Sequence, residues 1–183
     1  GDSRSRGFLL GATAGRTTLN GEGLQHEDGH SHLLSATIPN CISYDPCFSY
    51  ELAVIIQNGL ERMIKNQEDV FYYITIMNEN YTHPEMPKNI NEDIIKGIYK
   101  YSENKAKGPK VQLMGSGVIL REVIEAGNIL EKDFNVSSSI FSVTSFTEVR
   151  RNALDIQRWN MLNPDKTEKK SILDEIILDL ESP

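Results

Sequence analysis

Several features that mark particular classes of protein are scarce in this sequence. It has 2 cysteines in 183 residues, Cys41 and Cys47, which are too few for a disulfide framework or a cysteine-rich zinc site, so reduced thiols are predicted. No apolar run approaches the roughly 20 residues of a membrane-spanning helix. The apolar part of the opening GDSRSRGFLL is too short for a signal peptide. The absence of these features predicts a cytoplasmic protein without a membrane partner.

Basic residues are fewer than acidic ones. The sequence has 19 Lys and Arg against 26 Asp and Glu, a formal net charge of -7 and a pI near 5.1. Nucleic acids are bound by basic patches, and the sequence shows no stripe of Lys or Arg, so we exclude nucleic acid as a partner. The 39% of hydrophobic residues are enough for the packed core of one ordinary domain or two small ones.

The most unusual stretch is GEGLQHEDGHSH, residues 21–32, which contains three of the 4 histidines. Its glycines allow tight turns and a close approach of the backbone to a ligand. His26, Asp28, His30 and His32 supply groups that bind or exchange protons near neutral pH. The composition therefore predicts a loop that contacts a small polar molecule.

Three interpretations of this histidine loop compete. Its His, Glu and Asp side chains are possible metal ligands. However, HEDGHSH does not match the H-E-x-x-H helix of zinc proteases or any other ligand spacing with a known structural reason to hold a metal ion. A purely structural loop would use its histidines to hydrogen-bond nearby backbone. We favour a set of proton donors and acceptors around an organic substrate or cofactor, where histidine neutralises a carboxylate or moves a proton.

The order of apolar runs in the first half predicts an α/β fold. Residues 7–13, 41–44 and 70–77 are short apolar or β-branched runs, which are typical of buried strands. Residues 45–65 carry apolar side chains at helical spacing. Strand, helix and strand in this order predict a parallel crossover.

Two further predictions concern the ends of these elements. Asp45 and Pro46 have the residue types of an N-cap and a first helical residue. Residues 78–83 follow the last strand, and ligands of open α/β sheets bind beside the carboxyl ends of strands, so this segment is expected to share a crevice with the histidine loop. His83, next to Pro84, is interpreted as a surface residue.

Breaks rich in proline, glycine and charge divide the chain. We assign residues 1–100 to a first domain, 101–109 to a linker and 110–183 to a second domain. Residues 115–117, Gly-Ser-Gly, follow the first strand of the second domain. They lack the third glycine of a dinucleotide fingerprint, so we interpret them as a plain strand-to-helix turn rather than a phosphate cradle.

The second domain repeats the alternation of strands and helices. Strands are predicted at 110–114 and 139–143. Helices are predicted at 118–134 and 148–160, and a short amphipathic helix at 172–180 is expected to dock on the core or on a partner.

Several longer runs carry a family resemblance. GRTTLNGEGLQHEDGHSH, IPNCISYDP, NENY, VQLMGSGVILREV, SVTSFTE and RWNML resemble, in this order and almost without gaps, the homodimeric bacterial type of pyruvate dehydrogenase. That family is the thiamine-diphosphate decarboxylase of the pyruvate dehydrogenase complex. The resemblance extends from residue 1 to about residue 163. Residues 27–32 are also similar to the G-E-D-G-P-T-H signature of transketolases, which use the same cofactor.

The resemblance implies a fold and a reaction. The fold is α/β, the later part of a pyrimidine-type thiamine-diphosphate-binding domain (a parallel sheet with flanking helices) followed by the start of a transketolase-like C-terminal domain. The reaction is oxidative decarboxylation of pyruvate on thiamine diphosphate and Mg²⁺, with acetyl transfer to the lipoyl domain of the dihydrolipoyl acetyltransferase component. The family enzyme is a homodimer that consumes the pyruvate made by glycolysis.

The resemblance also assigns roles to residues of the histidine loop. His26 matches the active-site histidine that faces bound pyruvate, so it is the predicted catalytic residue. Asp28 and His32 match transketolase residues that contact the substrate. His30 has no transketolase counterpart and is included as a substrate-binding candidate. No metal ligand is predicted, and no cofactor-binding residue of this chain is assigned.

Other elements of the family pattern are missing from this sequence. The family binds magnesium and the diphosphate through a G-D-G motif and activates the aminopyrimidine ring with a glutamate, and the resemblance places both upstream of residue 1. We therefore expect a fragment that is inactive alone, with a tail that departs from the family after Pro164. Two rival functions stay open: a non-catalytic interaction or assembly module from a split or truncated gene, and a metal-dependent hydrolase that uses the histidine cluster.

Overall fold

The two halves of the chain each build a small sheet with helices around it. A computed structural model of the protein describes residues 3–11, 29–77 and 79–178. In these residues the strands form two three-stranded sheets, with the orders β1-β3-β2 and β4-β6-β5.

The first sheet is parallel throughout. Its strands are β1 (Phe8–Gly11), β2 (Cys41–Tyr44) and β3 (Phe71–Thr75), and both outer strands run parallel to β3. Aromatic and β-branched side chains favour a strand with both faces covered, and Tyr72 and Ile74 in β3 are fully buried. The parallel pairing and the buried strands β2 and β3 are confirmed. The prediction that β1 is buried is wrong, because Leu9 and Leu10 are 58% and 51% exposed.

Three helices belong to the first half. The short α1 (Ser31–Ser35) precedes β2, and α2 (Ser49–Leu60) is the crossover between β2 and β3. The chain continues helically through a π-helical segment, Glu61–Lys65, so the predicted helical extent to residue 65 is confirmed. After β3, α3 (Asn91–Lys96) ends at Gly97, whose φ is +103°.

The start of α2 differs from the prediction. Asp45 and Pro46 are not its N-cap and first residue, because the helix begins at Ser49. Asp45 has other partners, since its N–H donates to the carbonyl oxygen of Thr144 over 2.7 Å. The helix terminus is satisfied instead by Glu51, whose carboxylate accepts from the two backbone N–H groups just before the helix, at 2.6 and 2.9 Å.

The second sheet is mixed. Strand β6 (Ser137–Ser142) is central, β5 (Lys110–Gly115) runs parallel to it, and β4 (Tyr99–Glu103) runs antiparallel to it. The two predicted strands are confirmed, whereas β4 was not predicted. Since β4 begins before residue 100 and pairs in the second sheet, the sheet starts earlier than the predicted second domain. The division into domains at 100 and 109 stays a prediction.

The helices of the second half lie close to their predicted positions. They are α4 (Ile119–Phe134), α5 (Phe146–Leu162) and α6 (Ile172–Leu178). Leu120 on the apolar face of α4 is fully buried. The N-cap of α5 is Ser145, whose hydroxyl accepts the N–H of Glu148 over 3.0 Å, as its residue type favours.

Buried polar groups join the two halves. Glu51 on α2 is fully buried, and its carboxylate accepts hydrogen bonds from the hydroxyls of Tyr99 in β4 and Ser142 in β6, each over 2.6 Å. Nearby, the hydroxyl of Ser145 donates to the carbonyl oxygen of Ser43 over 2.6 Å. The halves therefore meet through directional bonds as well as apolar packing.

The end of the chain docks on the second half. Ile172, Leu173 and Ile176 of α6 pack against the buried cluster of Ile98, Phe141, Val143 and Val149. The expectation of an amphipathic helix that packs on the core is confirmed. Trp159 of α5 is half-buried, and the ammonium of Lys169 lies 4.0 Å from its ring centroid.

The surroundings of Glu148 in α5 do not fully stabilise the negative charge of its carboxylate. Its Oε1 lies 3.2 Å from a guanidinium nitrogen of Arg151 but receives no hydrogen bond from any residue that the structure describes. Burial raises the pKa of Glu148, and the charges of Arg151 and Arg62 only partly oppose this rise, to which Asp155 adds. The fold therefore favours the protonated form.

We expect Glu148→Gln to remove a pH-dependent loss of stability. A carboxyl whose pKa is raised by folding stabilises the fold fully below its unfolded pKa of about 4.3, and this contribution is lost as the pH rises through the folded value. The variant should therefore gain stability relative to the wild type as the pH increases. Urea unfolding from about pH 4 to about pH 8 measures this. Exposed Glu122→Gln is the control, and a parallel change in both variants would contradict the prediction.

Candidate functional site

Strands of both sheets end at one cavity of about 340 Å³. β2 is followed directly by Asp45, and β5 by Ser116. The polar lining consists of His32, Asp45, Ser116, Ser145 and Thr147, and the apolar lining includes Met114, Ile119 and Phe146. A cavity beside the carboxyl ends of parallel strands is the place where α/β sheets bind ligands.

His32 is the residue of the histidine loop whose ring the structure places in this cavity. It lies on α1, and its Nε2 is 3.0 Å from the hydroxyl of Thr75, the last residue of β3. Its ring also meets that of Tyr73 in an edge contact, with centroids 5.3 Å apart. The backbone of α1 and the end of β3 thus fix the imidazole at the cavity wall.

Asp45 is the buried acid of the site, with 8% of its surface exposed. Its Oδ1 accepts from the hydroxyl of Thr75 over 2.5 Å and its Oδ2 from the hydroxyl of Ser116 over 2.9 Å. Its carbonyl oxygen accepts the N–H of Gly117 over 2.9 Å. Gly117 has φ +52°, and a Cβ there would lie 2.5 Å from Oδ1 of Asp45. The Gly-Ser-Gly segment is a strand-to-helix turn, as predicted, and it binds this carboxylate.

The other predicted site residues are placed only in part. His30 is exposed at the N-cap of α1, where its carbonyl oxygen accepts the N–H of Leu34 over 3.0 Å. His26 and Asp28 lie outside the described residues. The roles assigned to these four loop residues therefore stay predictions.

A second cavity, of about 180 Å³, lies beside the segment that follows β3. There a guanidinium nitrogen of Arg121 is 3.0 Å from a carboxylate oxygen of Glu79, and the guanidinium lies 4.4 Å from the ring centroid of Tyr81. His83 is exposed, as predicted, and its Nδ1 accepts the first N–H of α2 over 3.1 Å. Glu79, Tyr81 and His83 line the second cavity, whereas His32 lines the first. Because residues 21–28 of the histidine loop lie outside the described residues, the shared crevice stays a prediction.

The two cysteines are poorly suited to nucleophilic chemistry at neutral pH. Both are free thiols and buried, which confirms the prediction of reduced cysteines. Burial, with a smaller contribution from the charge of Glu51, raises the pKa of Cys47 to about 12. Burial also raises the pKa of Cys41. Reaction as a thiolate is thus disfavoured at both positions.

Within residues 3–11, 29–77 and 79–178, no group of three or more His, Cys, Asp or Glu side chains is placed to hold a metal ion. None of the helices in these same ranges is long and apolar enough to span a membrane.

Three residues of the site were missed by the sequence analysis: Asp45, Thr75 and Ser116. Asp45 was interpreted as a helix cap, and the two hydroxyl residues received no role. A signal was present, since each lies within two residues of the carboxyl end of a predicted strand. That position is where parallel sheets concentrate ligand-binding groups.

Two family models match this sequence, one in each half of the chain. Residues 1–84 match the family described as the pyruvate dehydrogenase E1 component middle domain. Residues 97–178 match the transketolase-like C-terminal domain.

Individual relatives extend the match over nearly the whole chain. The pyruvate dehydrogenase E1 component of Cupriavidus necator is 59% identical over 93% of this chain, and that of Escherichia coli is 58% identical over 98%. These matches place the chain in the pyruvate dehydrogenase E1 family. The chain spans only about a fifth of the length of these relatives, 19% and 20%.

The match to the C-terminal domain also corrects one expectation about this pyruvate dehydrogenase E1 sequence. It extends to residue 178, so the prediction that the resemblance ends after Pro164 is wrong. The segment that leads into α6, and α6 itself, belong to the matched region.

Solved structures support the fold of this pyruvate dehydrogenase E1 region. A transketolase from Campylobacter jejuni aligns with a TM-score of 0.56 at 18% identity, over 82% of this chain and 22% of that chain. A transketolase from Pichia stipitis aligns with a TM-score of 0.58 at 14% identity, over 80% and 20% of the two chains. At these identities the likeness concerns the fold alone, and the predicted transketolase-like α/β class is confirmed.

Proposed function

We propose that this chain is part of a pyruvate dehydrogenase E1 component that oxidatively decarboxylates pyruvate on thiamine diphosphate. The acetyl group would pass to the lipoyl domain of the dihydrolipoyl acetyltransferase component, and the complete enzyme would be a cytoplasmic homodimer. The observation that carries the proposal is the identity of 58 to 59% over 93 to 98% of this chain with E1 components.

The proposed chemistry of the chain resides in the histidine loop. His26 is the proposed catalytic residue, which interacts with the pyruvate carboxylate before it leaves and then donates or accepts a proton. Asp28, His30 and His32 are the proposed substrate-binding residues. Imidazole suits these tasks because its protonation changes near neutral pH. The position of His32 at the wall of the cavity, beside the polar groups of Asp45 and Ser116, supports its part in this proposal.

The cofactor is proposed to bind mainly through residues outside this chain. The donor sets among residues 3–11, 29–77 and 79–178 do not fit Mg²⁺, because they contain no cluster of three carboxylates, histidines or cysteines. The carboxylate of Asp45 is already bound by the hydroxyls of Thr75 and Ser116. The chain alone is proposed to be inactive.

A hybrid enzyme tests the proposal directly. This chain would replace the matching fifth of the Escherichia coli E1 component, with which it is 58% identical, and pyruvate decarboxylation would be followed with an artificial electron acceptor. We expect an active hybrid and a fall of roughly 100-fold on His26→Ala, the scale of a lost general acid or base. The 183-residue chain alone should show neither activity nor a melting-temperature shift with thiamine diphosphate and Mg²⁺.

The controls separate folding from chemistry. His83→Asn replaces the histidine outside the loop and keeps an acceptor for the first N–H of α2, so its hybrid should retain activity. Circular dichroism and gel filtration show whether each hybrid is folded and dimeric. A folded, dimeric hybrid without activity contradicts the proposed reaction. A saturable melting-temperature shift of the chain alone contradicts the placement of the cofactor site outside it.

A further inference from the structure

A line of four side chains runs from the histidine loop to the turn after β5. His32 Nε2 lies 3.0 Å from the Thr75 hydroxyl. That hydroxyl donates to Oδ1 of Asp45 over 2.5 Å. On the other side, Oδ2 of Asp45 accepts from the hydroxyl of Ser116 over 2.9 Å. The line therefore begins in the first half of the chain and ends in the second.

The hydrogen-bond count determines where the proton of His32 lies. A threonine hydroxyl has one hydrogen to donate and two lone pairs to accept with. The hydrogen of Thr75 is directed to Oδ1 of Asp45 at 2.5 Å rather than to the carbonyl oxygen of Tyr44 at 3.4 Å. Nε2 of His32 lies 3.0 Å from the same hydroxyl. Nε2 must then be the donor to Thr75, so the proton of the neutral ring resides on Nε2.

The line is held in place by its surroundings. Thr75 is 2% exposed and Asp45 8% exposed, and a hydrogen bond shielded from water is stronger than an exposed one. The backbone of Asp45 is fixed on both sides, because its N–H donates to Thr144 and its carbonyl oxygen accepts from Gly117. The ring of Tyr73 contacts that of His32 and limits its rotation.

We propose that Thr75 and Asp45 are positioning residues for His32, which fix its imidazole in one orientation with the proton on Nε2. In this arrangement Ser116 orients the carboxylate, so the second half of the chain contributes to the geometry of the histidine loop. The inference rests on the proposed function only in so far as His32 binds substrate. The hydrogen-bond line itself is independent of the reaction.

A structural role alone predicts something different. If the bonds among His32, Thr75 and Asp45 served only to join the two halves, their loss would lower stability without selecting a tautomer of the imidazole. A positioning role instead links the hydroxyl of Thr75 to the protonation pattern of one ring. The ring nitrogens of histidine are spectroscopically distinct, because the protonated nitrogen and the bare one resonate far apart in ¹⁵N spectra.

Long-range ¹H–¹⁵N NMR on the 183-residue chain measures this pattern at His32. We expect a protonated Nε2 in the wild type, a shift towards the other tautomer or a mixture in Thr75→Val, and restoration in Thr75→Ser. Thr167→Val, at an exposed position in the segment before α6, is the matched control and should leave the spectrum of His32 unchanged. A wild-type His32 with its proton on Nδ1 overturns the proposal without any variant. An unchanged tautomer in folded Thr75→Val overturns it too.

Kinetics of the hybrid enzyme separate this inference from the proposed function. With His32 in a substrate-binding role, Thr75→Val should lower kcat/KM for pyruvate on the order of 10-fold, since misplaced groups lose rate steeply, and Thr75→Ser should recover most of it. If the NMR signature changes but neither Thr75→Val nor His32→Ala affects kcat/KM, the hydrogen-bond line stands and the substrate role of His32 fails. If the signature does not change, the positioning role fails whatever the activity.

Discussion

Glu51→Ala is expected to lower the free energy of unfolding by about 4 kcal/mol, a large share of the 5–15 kcal/mol of an ordinary domain. The carboxylate of Glu51 accepts four hydrogen bonds, two from backbone N–H groups before α2 and two from the hydroxyls of Tyr99 and Ser142. Alanine leaves these donors buried without an acceptor and opens a cavity at the junction of the two sheets. Chemical denaturation at neutral pH measures the loss.

Glu51→Gln is the matched variant and should lose much less, about 1–2 kcal/mol. The glutamine oxygen can accept from the backbone N–H groups, while its NH₂ donates to the two hydroxyls, which can act as acceptors. Tyr99 keeps a partner for its own hydrogen, because its hydroxyl lies 2.7 Å from that of Tyr50. Equal losses in the two variants would show that the negative charge, not the number of hydrogen bonds, determines the effect.

Gly97→Ala is expected to cost roughly 3 kcal/mol, because two separate penalties apply at this residue. Gly97 ends α3 with φ +103°, a conformation that residues with a side chain rarely adopt. A Cβ there would also lie 2.6 Å from the carbonyl oxygen of Ser145. That oxygen belongs to the backbone at the start of α5, so it cannot turn aside as a flexible side chain would. The chain would have to separate α3 from α5 to admit one methyl group.

Gly7→Ala provides the control for the change in backbone freedom. A Cβ at Gly7 meets no atom within 4 Å, so we expect a change within about 0.5 kcal/mol. Thermal unfolding of both variants in one buffer gives the comparison. If Gly97→Ala were as mild as Gly7→Ala, the close approach of α3 to the start of α5 would be wrong.

The buried strands were the easiest elements to predict from the sequence. β2 and β3 consist of apolar, aromatic and β-branched residues between turn residues, and their pattern admits little else. β4 was missed because YKYSE, residues 99–103, alternates apolar with polar side chains next to a charged break. Such a pattern suits an outer strand whose partner, β6, follows far along the chain. Pairing of this kind depends on tertiary contacts that local patterns do not contain.

The sequence predicted that His32 belongs to a site, but it did not predict the hydrogen bonds that hold the site together. The histidine loop was recognised from the density of its polar side chains, and His32 does line a cavity at the ends of the strands. Asp45 was assigned to a helix end because Asp-Pro is a common start of a helix. Its backbone partners, Thr144 and Gly117, lie about 70 to 100 residues away in sequence. Only the arrangement of the second sheet brings them to Asp45, and no local preference encodes that arrangement.

The four hydrogen bonds of Glu51 also constrain the order in which the protein can fold during its synthesis. The two backbone donors lie 4 and 3 residues before it, whereas Tyr99 and Ser142 follow 48 and 91 residues later. On a translating ribosome, α2 emerges with a carboxylate that must stay in water, because burying a half-paired charge is costly. Only after β6 has been synthesised can that carboxylate be enclosed with all its partners. Strand β6, the last strand in the described part of the chain, therefore supplies the final partner of a carboxylate on α2.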